Sequence, residues 1–131
     1  MIVTTDIANI LYRDCKAFGI EVYQSGNIPD EDKELSSERV IIRTKTQSPE
    51  TYWKKGFVEV NLCVPDLGGK ANLIRLQELE RKAQEVLDDV EGEYDGSSYY
   101  YSIDSIGTEA DTALKCHYVN VRILFQVLNV N

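Results

Sequence analysis

Three cysteines, one histidine and several acid clusters carry the chemistry available to this chain. Cys116 and His117 are adjacent, and a thiol beside an imidazole is the pairing of a nucleophile with its base. They open the segment "CHYVNVRILFQV", whose apolar residues alternate as in a strand. Neighbouring strand residues point to opposite faces, so this thiol and this ring are expected to diverge. Cys15, Cys63 and Cys116 are widely spaced and odd in number, and they read as reduced, buried thiols. With a single histidine, a Cys/His zinc cluster of ordinary composition cannot form. Asp30, Glu31 and Asp32 lack the spacing and the following glutamate of a calcium loop and read as a solvated loop. The "LGGK" stretch is too short for a phosphate-binding loop and has no Ser or Thr after its lysine. Tyr99, Tyr100 and Tyr101 alternate across a strand, and the acids around them oppose base stacking. No enzymatic activity, cofactor or metal is expected.

Charge points elsewhere. The formal net charge of −8 argues against general affinity for phosphate backbones, which needs clustered Lys and Arg. It is also unevenly spread. Residues 85–95, "EVLDDVEGEYD", hold six acids and no base. Residues 39–55 hold Arg39, Arg43, Lys45, Lys54 and Lys55 against the one acid Glu50. Trp53 stands beside Tyr52 and ahead of Lys54 and Lys55 at an expected hairpin tip. Large aromatics next to cations suit interface anchors, although Trp53 folding back on the sheet satisfies the same pattern.

The elements that position these residues follow from periodicity. "TTDIANILYRDCKAFG" reads as a helix capped by Thr4 or Thr5, with Ile7, Leu11, Cys15 and Phe18 on one stripe and Gly19 as its stop. "IEVYQ" is a short strand ended by Gly26 and Pro29, and a polar loop follows to about residue 37. "ERVIIRTKTQ" is a second strand, with Val40, Ile42 and Thr44 on one face and Ile41, Arg43 and Lys45 on the other. "GFVEVNLCVPD" is a third, antiparallel to the second, with Val58, Val60, Leu62 and Val64 inward and Pro65 as its end. "LIRLQELERKAQEVLDDVEG" reads as a long helix with Leu76, Leu79, Ala83, Val86, Leu87 and Val90 as its stripe and Gly92 as its stop. "SSYYYSI" is a strand, "DSIGTEADT" a loop, and "ALKCHYVNVRILFQVLNV" a closing strand.

The order α-β-β-β-α-β-β predicts an α+β fold over residues 1–131, with two helices on one face of a mostly antiparallel sheet as a two-layer sandwich. The length suits one domain with its own core. No apolar run reaches the roughly 18 residues of a membrane helix, so no membrane partner is expected. The first residues, "MIVTTDIANILYRD", carry an early acid and no basic flank, unlike a signal peptide, and point to folding in a cytosol.

This pattern resembles the small tail-terminator, or tail-completion, proteins of long-tailed bacteriophages, including minor tail proteins of prophage neck regions. The likeness spans nearly the whole chain. It runs from the N-terminal helix through "VYQSGNIP", the "RVIIRT" and "FVEVNLCV" hairpin, a Gly-containing link and the helix with "AQEVLDDVEG", to the closing "VNVRILFQV". The resemblance implies a non-catalytic ring subunit, commonly a hexamer, on the head-proximal end of the tail tube. Its implied partners are further copies of itself, the tail-tube protein and the head connector proteins. Its implied place is the virion tail or neck, assembled in the bacterial host cytoplasm. A head-closure or connector component, or an adaptor of a phage-derived injection machine, shares the pattern. A small-molecule-binding or enzymatic α+β domain is the reading from another class.

A ring needs a head-to-tail contact between two different patches of each subunit. The basic aromatic hairpin (Arg43, Lys45, Tyr52, Trp53, Lys54, Lys55) and the acidic helix end (Glu85, Asp88, Asp89, Glu91) are the candidate patches. Surplus acid also suits a pore wall that lets DNA pass without sticking. The short strand at 22–24 and the loop after it are expected to form a rim contact.

Overall fold

The computed structural model describes residues 2–29, 34–45 and 55–128. The first helix, α1, spans Thr4–Asp14 and tightens into a 3-10 turn at Cys15–Phe18. Its cap differs from expectation: Val3 is the N-cap, and the Asp6 carboxylate reaches back to accept the Val3 N–H at 3.0 Å. Gly19 ends the segment in the left-handed region, φ 70°. Three strands follow: β1 at Glu21–Gln24, β2 at Arg39–Thr44 and β3 at Lys55–Pro65. The second helix, α2, spans Leu73–Val86, and the Asn72 side chain caps it by accepting the Arg75 N–H at 3.3 Å. The chain closes with β4 at Val90–Tyr94, β5 at Ser97–Asp111 and β6 at Cys116–Val127.

The expected two-layer sandwich on a mostly antiparallel sheet is corrected by this architecture. Among the described residues six strands, not five, form one sheet in the order β1-β2-β3-β6-β5-β4. The sheet is mixed, because β1 runs parallel to β2 while the other pairs are antiparallel. It curls into a half-barrel rather than lying flat under the helices. Long strands accumulate right-handed twist, and β3, β5 and β6 run to 11, 15 and 12 residues.

Two local departures produce the extra strand and the longer one. The acidic stretch expected to end the second helix instead leaves it at Val86. Asp89 takes a left-handed backbone, φ 55°, and Val90–Tyr94 reverses onto β5. Gly92 is therefore a strand residue lying against Tyr99, not a helix stop. The stretch 104–112, expected to be a loop, is mostly the second half of β5 and pairs with β6 up to Asp111↔Cys116. A bulge between Ile103 and Ser105 inserts Asp104. Before it, odd residues face the helices, with Tyr99, Tyr101 and Ile103 opposite Val127, Phe125 and Ile123; after it, Ile106 and Thr108 do, opposite Val121 and Val119. A one-residue insertion swaps the faces, which is why simple alternation fails there.

Ile7, Ile10, Leu11, Leu76, Leu79 and Ala83 of the helices meet Val40, Ile42, Val58, Val60, Leu62, Val119, Val121, Ile123 and Phe125 of the sheet. Each fully buried aliphatic side chain here contributes about 1.5–3 kcal/mol. Polar ties fix the helices. Arg13 Nη2 donates to the Tyr99 hydroxyl at 2.7 Å, and the Tyr101 hydroxyl donates to Asp14 Oδ2 at 2.7 Å. Arg75 grips Glu38 through two bonds, 2.7 and 3.0 Å, tying α2 to the start of β2.

Candidate functional site

The face of the sheet away from the helices carries a second, smaller core of Leu35, Ile41, Cys63 and Cys116, with Tyr118 packed against it. Above it lies a depression of about 370 Å³. Arg39, Ile41 and Arg43 of β2 form one wall and Glu109 and Asp111 of β5 the other, with Glu59, Asn61, Cys63, Cys116, Tyr118 and Asn120 between. Its polar groups largely satisfy one another. Asn120 Nδ2 donates to Asn61 Oδ1 at 2.8 Å, and the Tyr118 hydroxyl donates to Glu109 Oε2 at 2.7 Å. Asp111 Oδ1 accepts the Leu114 N–H at 3.2 Å, and Lys45 lies 3.2 Å from Glu59. The Glu109 bond and burial push the Tyr118 phenol up to about 12, so Tyr118 stays a neutral donor.

The thiols of this face are not poised nucleophiles. Burial pushes Cys63 up to about 11, only partly offset by the Arg39 guanidinium 6% exposed beside it. Burial likewise pushes Cys116 up to about 12. A reactive cysteine needs the opposite shift. Cys116 packs in the outer cluster, whereas His117 pairs with Val64 and Ala110 and holds Asp66 Oδ1 at 2.7 Å through Nδ1. The two neighbours thus diverge, as strand geometry requires. Among the described residues no group of three or more His, Cys, Asp or Glu is placed to hold a metal ion.

What the face has is polarity of charge. Basic residues lie along β2 and acids along β5, three strand steps away through β3 and β6. Of the residues singled out from the sequence, Arg43 stands on this face and Lys45 beside Glu59. Lys55 opens β3 and is exposed. Tyr52, Trp53 and Lys54 lie outside the described residues, as do Asp30, Glu31 and Asp32. The acids do not form one helix end. Glu85 is on α2, Asp88 and Asp89 make the turn after it, and Glu91 is on β4. Asp88 Oδ1 accepts the Ile103 N–H at 2.9 Å, so it helps shape β5. Register links the two sets: Lys55 pairs with Gln126, Gln126 with Tyr100, and Tyr100 with Glu91. Lys55 and Glu91 therefore share one row and one face, about 14 Å apart across three strand spacings. Sequence reasoning missed Glu109 and Asp111 as part of the acidic wall. Their signal was the period-2 spacing of Glu109 and Asp111 after the bulge, hidden inside an apparent loop.

A mixed six-stranded sheet with two helices makes this an α+β domain with a charge-graded outer face. No protein-family model matches the chain, and no curated protein matches it. A solved structure resembles it with a TM-score of 0.63 at 9% identity, covering 100% of this chain and 99% of that one. The fold is therefore one that another chain of nearly the same extent adopts with a very different sequence.

Proposed function

We propose that the chain is a non-catalytic subunit of a phage or prophage tail or neck ring, which caps the tail tube and joins it to the head. The observation that carries this is the unlike charge across one sheet, basic on β2 and acidic on β4 and β5. A surface of this kind is complementary to another copy of itself in a rotated position, which is the requirement for a head-to-tail ring. The likeness of the sequence pattern to tail-terminator proteins supplies the identity of the ring. The acidic surplus suits a wall past which DNA slides.

Electron microscopy of the concentrated protein should show closed rings, and the tail-tube protein should retain the chain in a pull-down. Retention by a head connector protein without the tube would instead assign it to head closure. Tight DNA binding at low salt would remove the pore-wall role. Absence of rings together with absence of either partner would overturn the reading.

A further inference from the structure

Among the described residues the sheet has two open edges, and they are different. At one end β1 pairs with β2 along one side only. At the other, β4 covers β5 only from Ser97 to Tyr101, and Asp88 takes the Ile103 N–H. From Ser105 to Asp111 the outer edge of β5 pairs with no strand among the described residues. An uncovered strand edge is a template for another strand.

The ground beside each edge is shaped for one. An added strand sends alternate side chains to the two faces of a sheet. On the helix face, a depression of about 400 Å³ between β5 and α2 is lined by Leu73, Ile74 and Thr108. Leu73 and Ile74 are 72% and 75% exposed, an apolar pair that nothing among the described residues covers. On the outer face, a second depression of about 210 Å³ lies beside Gly107 and Asn120. The β1 edge has its own depression, of about 340 Å³, beside Tyr12, Lys16 and Ile20. Lys16 Nζ sits 5.1 Å over the Tyr12 ring.

We propose that copies of this chain join edge to edge, the open side of β1 on one copy pairing with the open length of β5 on the next. This rests on the reading of the chain as a self-assembling subunit and names the surfaces that assemble it. Strand directions fit. β1 runs with β2, and three antiparallel steps through β3 and β6 leave β5 opposed to it. The new pair is therefore antiparallel when the copies are related by rotation about an axis along the strands, and such a rotation closes a ring. Both helices pack into the core on the same face of the sheet, so α1 of one copy comes beside α2 of the next. Tyr12 and Ile20 then cover Leu73 and Ile74, and Lys16 approaches Glu80. Apolar area supplies the affinity and the Lys16–Glu80 pair helps set the direction.

The test uses two full-length variants, each folded by circular dichroism: Leu73→Glu/Ile74→Glu at the β5 end, and Tyr12→Glu/Lys16→Glu at the β1 end. All four positions are exposed, so folding is retained. In sedimentation velocity each variant alone should self-associate about tenfold or more weakly than the parent chain. Mixed, the two should form a dimer and stop there, because each retains the edge the other lost. Glu80→Lys should restore part of the association lost on Lys16→Glu. Rings that persist in both variants would overturn edge pairing and leave the ring reading standing. A mixed dimer without retention by tail-tube or connector protein would uphold edge pairing and remove the phage assignment. A parent chain that stays monomeric at every concentration overturns edge pairing outright.

Discussion

Raising the pH from about 9 to about 11 is expected to remove about 5 kcal/mol of folding stability, enough to unfold a domain of ordinary stability. The cause is burial of groups that must stay neutral. Cys15, Cys63 and Cys116 are free thiols inside the fold. Burial pushes Cys63 up to about 11 and Cys15 higher still, the latter helped by the Asp14 carboxylate. The unfolded chain releases these protons near pH 8.5. A folded value raised above the unfolded one means a contribution fully present below about pH 8.5 and lost as pH climbs toward the folded value. Each such group removes about 1.4 kcal/mol per unit of pH across that window. Cys15 and Cys63 together account for the figure given. Cys116, buried beside Cys63 and pushed up as well, adds to the loss in the same direction. The Tyr101 phenol is raised too, by burial first and by its bond to Asp14 second, and it steepens the loss above about pH 10. Urea titrations at stepped pH should show this slope, and thiol reagents should label the chain only as it unfolds. Cys15→Ala/Cys63→Ala should be less stable at neutral pH but lose stability more slowly above it. A stability flat from pH 8 to pH 10.5 would show that these thiols are wet.

Much of the fold was legible where period alone decides it. The stripe Ile7, Leu11, Cys15 and Phe18 is buried, and the inward apolar residues of β2 (Val40, Ile42), β3 and β6 join the main core, while Thr44, expected on the same face of β2, is exposed. The thiols are buried, as their spacing suggested. Alternation failed where a second constraint intervened. The bulge at Asp104 exchanges the faces of β5 midway, so the polar residues 104–111 read as a loop although β6 holds them in register. The stretch "VEGEY" alternates, but the apolar stripe of the preceding helix runs into it through Leu87 and Val90, and the helical reading absorbed it. A three-residue turn, residues 87–89 with Asp89 left-handed, separates the two elements. Neither the parallel pairing of β1 nor the curl is written in any local period, because both are settled by long-range pairing. The same holds for the candidate surface. The charge asymmetry was visible, yet its acidic wall includes Glu109 and Asp111, whose placement depends on the bulge.

Gly92→Ala is expected to destabilise the chain by about 3 kcal/mol, far beyond the cost of a methyl group on an ordinary strand. A Cβ there meets the Tyr99 hydroxyl directly and lies 2.6 Å from Tyr99 Cζ. Tyr99 cannot yield. Its ring is 2% exposed and stacks 5.1 Å from Phe125 and 6.3 Å from Tyr101, and its hydroxyl accepts from Arg13 Nη2 at 2.7 Å. The conflict must therefore be relieved by β4, a short strand that among the described residues pairs with the sheet only through β5. Thermal and urea unfolding measure the loss. Tyr99→Phe should not rescue the variant, because the ring carbon remains in the way. Tyr99→Leu should reduce the added cost of Gly92→Ala to below about 1 kcal/mol, although it weakens the core by itself. If β4 is what gives way, β5 is uncovered along its whole length, and the variant should aggregate at concentrations where the parent chain assembles in an orderly way. Two additive penalties in the double variant would locate the strain elsewhere. The glycine that resembles a helix stop in the sequence is then the residue that limits how much of β5 a neighbouring copy can reach.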